Sequence, residues 1–273
     1  MKHVQSIREL FKPYQPVIAF SGEQSVIYEE AKPVASLQDY IYCYWRLHTP
    51  KPLSAPFTYR VVSDGCIDIL FAQNSSEDIF VTGFSTQYLE YELGRSFDYL
   101  GIRFLPNGFP ALFDHSASAL TNEFLPLKDV IPEFQEQLNP LLHKVMALDQ
   151  AVNLFNTLFQ RLLTNRAKPP QIDPRLLRAM DEILRSAGKI PLNQLDVGVS
   201  ERQLRRLFDF YFGESPKTFA RIIRFQNILG ARPSLESFKN NKIFYEAGYY
   251  DQAHFIKEFK AFYGVTPNKA FAR

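Results

Sequence analysis

A repeat with a period of 51 residues, close to the C-terminal end, is the feature that most constrains how this chain can fold. Five positions between residues 198 and 219 recur between residues 248 and 271. The recurring pairs are Ser200 and Asp251, Leu204 and Phe255, Phe208 and Phe259, Gly213 and Gly264, and Pro216 and Pro267. In each copy a helix-capping residue precedes an amphipathic segment, and a turn with glycine and proline follows it. The repeat therefore predicts two copies of a helix-turn-helix unit.

The outward faces of the two repeated helices carry side chains that suit DNA. The candidate DNA contacts are Arg202, Gln203, Arg205 and Arg206 in the first copy, and Gln252, Ala253, Ile256 and Lys257 in the second. Arginine can bond guanine bidentately, glutamine can bond adenine, apolar side chains can meet the thymine methyl group, and lysine can bind phosphate. The alternative interpretation is a solvated basic face with helical ion pairs such as Glu201 with Arg205.

The charge of the chain is unevenly distributed. Residues 172–273 contain 17 Lys+Arg against 11 Asp+Glu, whereas residues 1–171 contain 14 against 18. This asymmetry favours a C-terminal part that meets phosphate groups. A long helix predicted over 216–232 would separate the repeated units and fix their distance. Recognition helices in successive major grooves lie roughly 34 Å apart.

The N-terminal part reads as strands and turns, and helical periodicity begins at about residue 131. Segments 57–62 and 67–71 predict a hairpin around Asp64 and Gly65. Further short strands are predicted over 79–83 and 99–104, and a short helix leading into a strand over 36–45. The predicted fold class is α+β with two domains. A β-rich sensing or dimerisation domain covers 1–130, a helical connector 131–166, a proline-containing linker 167–172 and an all-α domain 173–273.

Residues 173–273 resemble the DNA-binding domain of the AraC/XylS family of transcription regulators. The resemblance rests on the motifs from Gly198 to Phe208, Gly213 to Pro216, Arg224-Phe225, and Gly248 to Pro267. It implies a seven-helix domain in which a linker helix joins two helix-turn-helix subdomains. Double-stranded promoter DNA and RNA polymerase are the implied partners. Residues 37–45, 64–69 and 101–109 resemble the family's β-rich N-terminal domain, which implies a small-molecule effector and a homodimer.

Two segments depart from the family pattern. The helix before each recognition helix usually carries a small alanine, where this chain has Phe244 in the second unit. In the first unit, Leu192–Val197 contains no alanine and predicts a shortened support helix. Overpacking typically costs about 1–3 kcal/mol. The sequence leaves open whether these segments weaken DNA binding.

Arg103 marks a candidate ligand site in the N-terminal part. A charge inside an apolar strand either faces solvent or pairs inside a pocket. If a pocket exists, Trp45, Tyr59 and Arg103 are its candidate lining, and an anionic or aromatic ligand would fit. Asp64 and Asp68 are interpreted as a turn-forming residue and an exposed strand residue.

The sequence indicates neither a catalytic site nor a metal or cofactor motif. The two cysteines, Cys43 and Cys66, lie in apolar stretches and predict buried free thiols. With no apolar run of membrane-spanning length and no signal peptide, a cytoplasmic protein without a membrane partner is expected. An enzyme with a vestigial DNA-binding tail, and an interaction module that has lost DNA binding, are the alternatives. The operator, the effector, the sign of regulation and the oligomeric state stay open.

Overall fold

The computed structural model describes residues 7–15, 26–73, 79–142, 145–195, 197–231, 233 and 243–271. The strands are β1 (Ile27–Ala31), β2 (Ile41–His48), β3 (Phe57–Val61), β4 (Asp68–Ala72), β5 (Ile79–Thr82), β6 (Leu89–Gly94), β7 (Asp98–Phe104) and β8 (Phe124–Pro126). The first helices are α1 (Ile7–Leu10), α2 (Gly108–Phe113), α3 (Leu127–Val130), α4 (Pro132–Leu138) and α5 (Leu148–Thr164). They are followed by α6 (Pro174–Arg185), α7 (Glu201–Phe212), α8 (Pro216–Ala231), α9 (Ile243–Glu246), α10 (Gln252–Tyr263) and α11 (Pro267–Ala270). This order confirms the predicted α+β class, with a β-rich part before a helical part.

The strands form two sheets that face each other. The larger sheet is antiparallel, with the order β1-β2-β7-β4-β5-β8, and the smaller one pairs β3 with β6. Because side chains alternate along a strand, the larger sheet has two separate faces. One face packs on helices α2–α5 through residues such as Ile69, Ile102 and Phe155. The other face packs on β3 and β6 through Trp45 and Leu47.

The predicted hairpin between 57–62 and 67–71 is wrong. Strand β3 pairs with β6, and β4 pairs with β5 and β7. Gly65, with φ of +83°, lies where the chain passes from one sheet to the other. A Cβ atom at this position would lie 3.3 Å from the Phe212 ring of the helical part. The Asp-Gly turn signal therefore marks a crossing between sheets that is packed on another part of the molecule.

The helical part begins as its local sequence signals indicate. Asp173 accepts a hydrogen bond from the Arg175 amide at 2.8 Å, and Pro174 occupies the first position of α6. Helices α6 to α11 enclose a core rich in phenylalanine, which includes Phe208, Phe225 and Phe259. No described helix is long and apolar enough to cross a bilayer. The proposed boundaries at 130, 166 and 172 stay predictions.

The helical part and the sheets share a continuous apolar core. Val62, Cys66 and Phe84 belong to the same buried cluster as the helical residues Phe212 and Ile222. The rings of Phe84 and Phe212 lie 4.5 Å apart between centroids. Backbone hydrogen bonds also cross the boundary, from the Ser63 amide to the Phe262 carbonyl at 3.2 Å and from the Tyr88 amide to the Ala261 carbonyl at 3.1 Å. Such packing couples the position of the helical units to the sheets.

Candidate nucleic-acid interface and internal cavity

The first repeated unit presents helix α7 on a well-defined frame. The Ser200 side chain accepts from the Gln203 amide at 3.3 Å, and the Gln203 side chain accepts from the Ser200 amide at 3.1 Å. These two bonds form a capping box, which satisfies two N-terminal amides of the helix. Gly213 ends α7 in the left-handed conformation, with φ of +86°. Leu204 and Phe208 are buried, so the rest of the helix turns a fixed face outward.

The predicted contacts of the first unit lie on that outward face. Arg202, Arg205 and Arg206 are all exposed. Arg205 donates to the Glu201 carboxylate at 2.6 Å, the ion pair that the alternative interpretation expects, but the two side chains are 67% and 79% exposed. An exposed pair of this kind contributes little to stability. Gln203, whose amide oxygen serves the capping box, is exposed as well.

The second unit repeats the same construction with different surface chemistry. Asp251 caps α10 by accepting from the His254 amide at 2.7 Å, and Gly264 ends the helix with φ of +94°. Gln252, Ala253 and Lys257 are exposed, whereas Ile256 is half-buried against the core. The two outward faces therefore differ: one is rich in arginine and the other is mixed.

The arginines of the linker helix α8 hold the two units together. Arg221 bonds the buried Glu258 carboxylate of α10 at 2.5 Å. Arg224 donates to the Gly188 carbonyl at 2.9 Å in the first unit and to the Gly248 carbonyl at 3.2 Å in the second. Its guanidinium also lies 5.1 Å from the centre of the Tyr249 ring. These side chains set the relative position of the recognition helices, a role that the sequence alone did not reveal.

The two unusual support segments are accommodated in different ways. Phe244, in α9, is buried, with its ring 6.3 Å from that of Phe255 between centroids, so the core takes up the added volume. In the first unit, support is reduced to a single 3-10 turn, Leu192–Gln194, which agrees with the expected shortening. Arg178 compensates by donating to the Val197 carbonyl at 3.0 Å.

An internal cavity of about 110 Å³ lies between the two sheets and is partly open to solvent. Its lining comprises Trp45, Leu47, Tyr59, Val61, Asp68, Leu70, Thr82, Tyr91, Leu93, Tyr99, Arg103 and Phe124. The structure thus brings together all three predicted residues, Trp45, Tyr59 and Arg103. Gly101 makes this possible, because it pairs with Trp45 across β2 and β7 and a Cβ atom there would lie 2.1 Å from the indole.

Arg103 is buried and is held by two carboxylates. Asp68, its register partner on β4, accepts from the Arg103 Nε atom at 3.1 Å and from the Trp45 indole at 2.7 Å. Asp64 lies 3.8 Å from the other side of the guanidinium. The interpretation of Asp68 as an exposed strand residue is therefore wrong, since this residue is buried, with 6% exposed. Asp64 does form a turn, by accepting from the Cys66 amide at 2.9 Å, but it is buried as well. Pairing with a buried arginine offsets the cost of burying the two carboxylates.

Burial raises the pKa of Asp68 to about 6, while Arg103 opposes the shift and Asp64 adds to it. A carboxyl whose folded pKa is raised binds protons more tightly in the folded state, so it stabilises the fold below pH 3.8 and loses that contribution as pH rises through 6. Relative to Asp68→Asn, the wild type should thus lose up to about 3 kcal/mol of unfolding free energy between about pH 4 and 7. Urea unfolding across this range measures the difference, and parallel curves would contradict it.

Comparisons with known proteins address both parts of the chain. Residues 196–273 match a family model described as a helix-turn-helix domain, and residues 29–126 match a domain of unknown function, DUF6597. No curated protein matches the chain significantly. One similar solved structure is ToxT from Vibrio cholerae O395, with 13% identity, 92% of this chain and 98% of that chain covered, and a TM-score of 0.37. Another is ToxT bound to (E)-4-(8-methylnaphthalen-1-yl)but-3-enoic acid, with 15% identity, 91% and 99% covered, and a TM-score of 0.39.

The two capped helices, their glycine-terminated ends and the linker between them define a DNA-binding domain with two helix-turn-helix units. The motif positions and the family match over 196–273 agree on its kind. The C-terminal part of the chain is a helix-turn-helix domain, which agrees with the resemblance.

Proposed function

We propose that this protein is a transcription regulator that binds promoter DNA through α7 and α10 and responds to a small molecule in the internal cavity. The proposal is carried by one observation: two helices, each capped by a side chain at its N-terminus and held by the arginines of α8, present exposed faces. In the first groove, Arg202, Gln203, Arg205 and Arg206 contact bases and phosphates; in the second, Gln252, Ala253, Ile256 and Lys257 do so. The protein acts in the cytoplasm, without catalysis, as a homodimer that meets RNA polymerase.

The loop at residues 62–66 supports the link between the cavity and the DNA-binding helices. Asp64 lies 3.8 Å from Arg103, a residue that lines the cavity, whereas its neighbour Ser63 bonds the helical part on two sides. Gln226 of α8 donates to the Ser63 carbonyl at 2.8 Å and accepts from the Tyr14 amide at 2.7 Å. A ligand that changes the pairing of Arg103 would therefore act on a loop in contact with the linker helix. Through this contact a bound ligand could stabilise one domain arrangement more than another. Such a difference in stability is what a population shift requires.

Gln226→Ala should weaken this link. The change removes the hydrogen bonds of the Ser63 carbonyl and the Tyr14 amide to this buried side chain, at a cost of about 1–3 kcal/mol. Thermal unfolding and hydrogen exchange of residues 62–66 measure the loss. Asn227→Ala is the matched control, because this exposed neighbour bonds the Ile223 carbonyl of its own helix, at 2.8 Å, and should shift stability by less than about 0.5 kcal/mol. Equal effects of the two changes would contradict the role of Gln226.

The proposed function is tested by selecting genomic fragments with the purified protein and titrating the selected duplex with salt. Contacts to several phosphates make the logarithm of the binding constant fall linearly with the logarithm of salt concentration. We expect one recurrent motif with two half-sites about one duplex turn apart. No retention on DNA at low salt would overturn the proposal and favour an interaction module. Turnover of a small molecule by the N-terminal part would favour the enzyme alternative.

A further inference from the structure

We infer that the internal cavity takes a small organic cation, an ammonium compound about one ring in size, with its nitrogen on the Asp68 carboxylate. The inference rests on the proposed function and names the chemical class of its effector. It replaces the anionic ligand expected from Arg103 alone, because the structure surrounds that arginine with two carboxylates.

The charges around the cavity are unbalanced. Asp64, Asp68 and Arg103 are all buried, and together they carry one negative charge in excess when both carboxyls are ionised. A buried charge without a counter-charge is costly, so this charge set favours the arrival of a positive group. A ligand carboxylate would add a second uncompensated charge instead.

Asp68 lines the cavity and has a spare acceptor. Its Oδ1 atom accepts from Trp45 and Arg103, whereas its Oδ2 atom has one long contact, 3.3 Å from Arg103 Nε. An ionised carboxylate offers about four lone-pair sites, so an ammonium group can still bond there. Asp64 is committed elsewhere, to the Cys66 amide at 2.9 Å and the Gln15 side chain at 2.7 Å, and it does not line the cavity.

The walls of the cavity suit the same ligand. Trp45, Tyr59, Tyr91, Tyr99 and Phe124 surround the space, and the faces of aromatic rings attract cations. Burial raises the pKa of both Tyr59 and Tyr91, so these phenols stay neutral at physiological pH. A cavity of about 110 Å³ is of the order that holds one benzene-sized group.

Several charged or titratable groups influence Asp68 from the surrounding elements. They are Arg103 from β7, Asp64 from the 62–66 loop, Tyr59 from β3, Tyr91 from β6, Cys43 from β2 and Cys66. Burial raises the pKa of each of the two thiols well above its usual value. Between about pH 5 and 7.5 the charge of Asp68 should therefore change as its carboxyl gains or loses a proton, given its pKa of about 6.

Trp45 gives a site-specific signal, because it is the one tryptophan of the chain. The full-length protein is titrated at about pH 7.5 with benzylamine, benzyl alcohol and benzoate, and its fluorescence is recorded. We expect benzylamine to bind at least about tenfold more tightly than benzoate, and its affinity to fall roughly tenfold at about pH 5. Asp68→Asn should bring the two affinities within about threefold. Glu90→Gln, an exposed acid-to-amide change on β6, should keep the preference.

The outcomes separate this inference from the proposed function. Equal binding of benzylamine and benzoate, a preference for benzoate, or no fluorescence response to any of the three would overturn the cationic ligand. The wild-type pH dependence decides the question even if Asp68→Asn fails to fold. The DNA-binding function is read independently, by the salt titration of the selected duplex.

Discussion

Replacing both Arg205 and Arg206 by alanine is expected to weaken specific DNA binding by roughly 30-fold to 20,000-fold. Both side chains are exposed on the outward face of α7, whose inner face is fixed by Leu204 and Phe208. Each lost bidentate contact to a base costs about 1–3 kcal/mol, and every 1.4 kcal/mol is about tenfold in affinity. Competition binding with the selected duplex and a scrambled duplex measures the specific part of the loss.

The control for this double variant removes the same charge elsewhere. Lys128 and Arg161 are exposed on helices that pack against the larger sheet, far along the chain from the repeated units. Replacing both by alanine should change the affinity for specific DNA by less than about threefold, since screening weakens distant exposed charges. An unchanged affinity and footprint in the Arg205 and Arg206 double variant would remove α7 from the DNA interface.

Gly188→Ala is expected to destabilise the DNA-binding domain by about 2–5 kcal/mol. Gly188 has φ of +72°, where an L side chain costs roughly 1–2 kcal/mol. A Cβ atom there would also lie 2.1 Å from the Ala220 carbonyl oxygen and 2.9 Å from the Arg224 amide nitrogen. Both are backbone atoms of α8, so the end of α6 must move away from the linker helix, at a further cost of about 1–3 kcal/mol. DNA affinity should fall with stability because Arg224 bonds the Gly188 carbonyl.

Gly230→Ala is the matched glycine change, on the linker helix itself. Gly230 lies in α8 and is exposed, and a Cβ atom added there would meet no described atom within 4 Å beyond its own helix. Alanine favours the helix over glycine by up to about 1 kcal/mol, so the variant should be as stable as the wild type or more stable. Urea unfolding of both variants provides the comparison. If Gly188→Ala lowers the free energy of unfolding no more than Gly230→Ala does, the close approach of α6 and α8 is refuted.

The elements that depend on neighbouring residues could be predicted from the sequence. Ser200 and Asp251 form their caps within three residues of the groups they bind, and the buried stripe of α7 follows a regular helical spacing. Trp45, Tyr59 and Arg103 were named as the lining of a pocket only on the condition that Arg103 faces inward, and the sequence left a solvent-facing Arg103 open. The DNA contacts on the outward faces stay predictions, because the structure shows only how exposed these side chains are.

The features that depend on strand register could not be predicted. Asp68 meets Arg103 because β4 and β7 place them opposite each other, although 35 positions separate them in sequence. No local pattern distinguishes that register from one shifted by two residues, which would keep the same face. The hairpin predicted from Asp64 and Gly65 was wrong for a related reason. The conformation of this turn depends on its packing against Phe212 and Ile222, which are distant in sequence. The excess negative charge of the cavity becomes visible only when the three positions are placed together.

The apolar core that joins Val62, Cys66 and Phe84 to Phe212 and Ile222 has a practical consequence. A fragment that contains only residues 173–273 would expose to water the apolar residues of the helical part that pack on the sheets. Exposed apolar patches of this kind promote aggregation. Such a fragment is expected to be poorly soluble. To bind DNA on its own, it would need polar substitutions at the apolar residues that the truncation exposes.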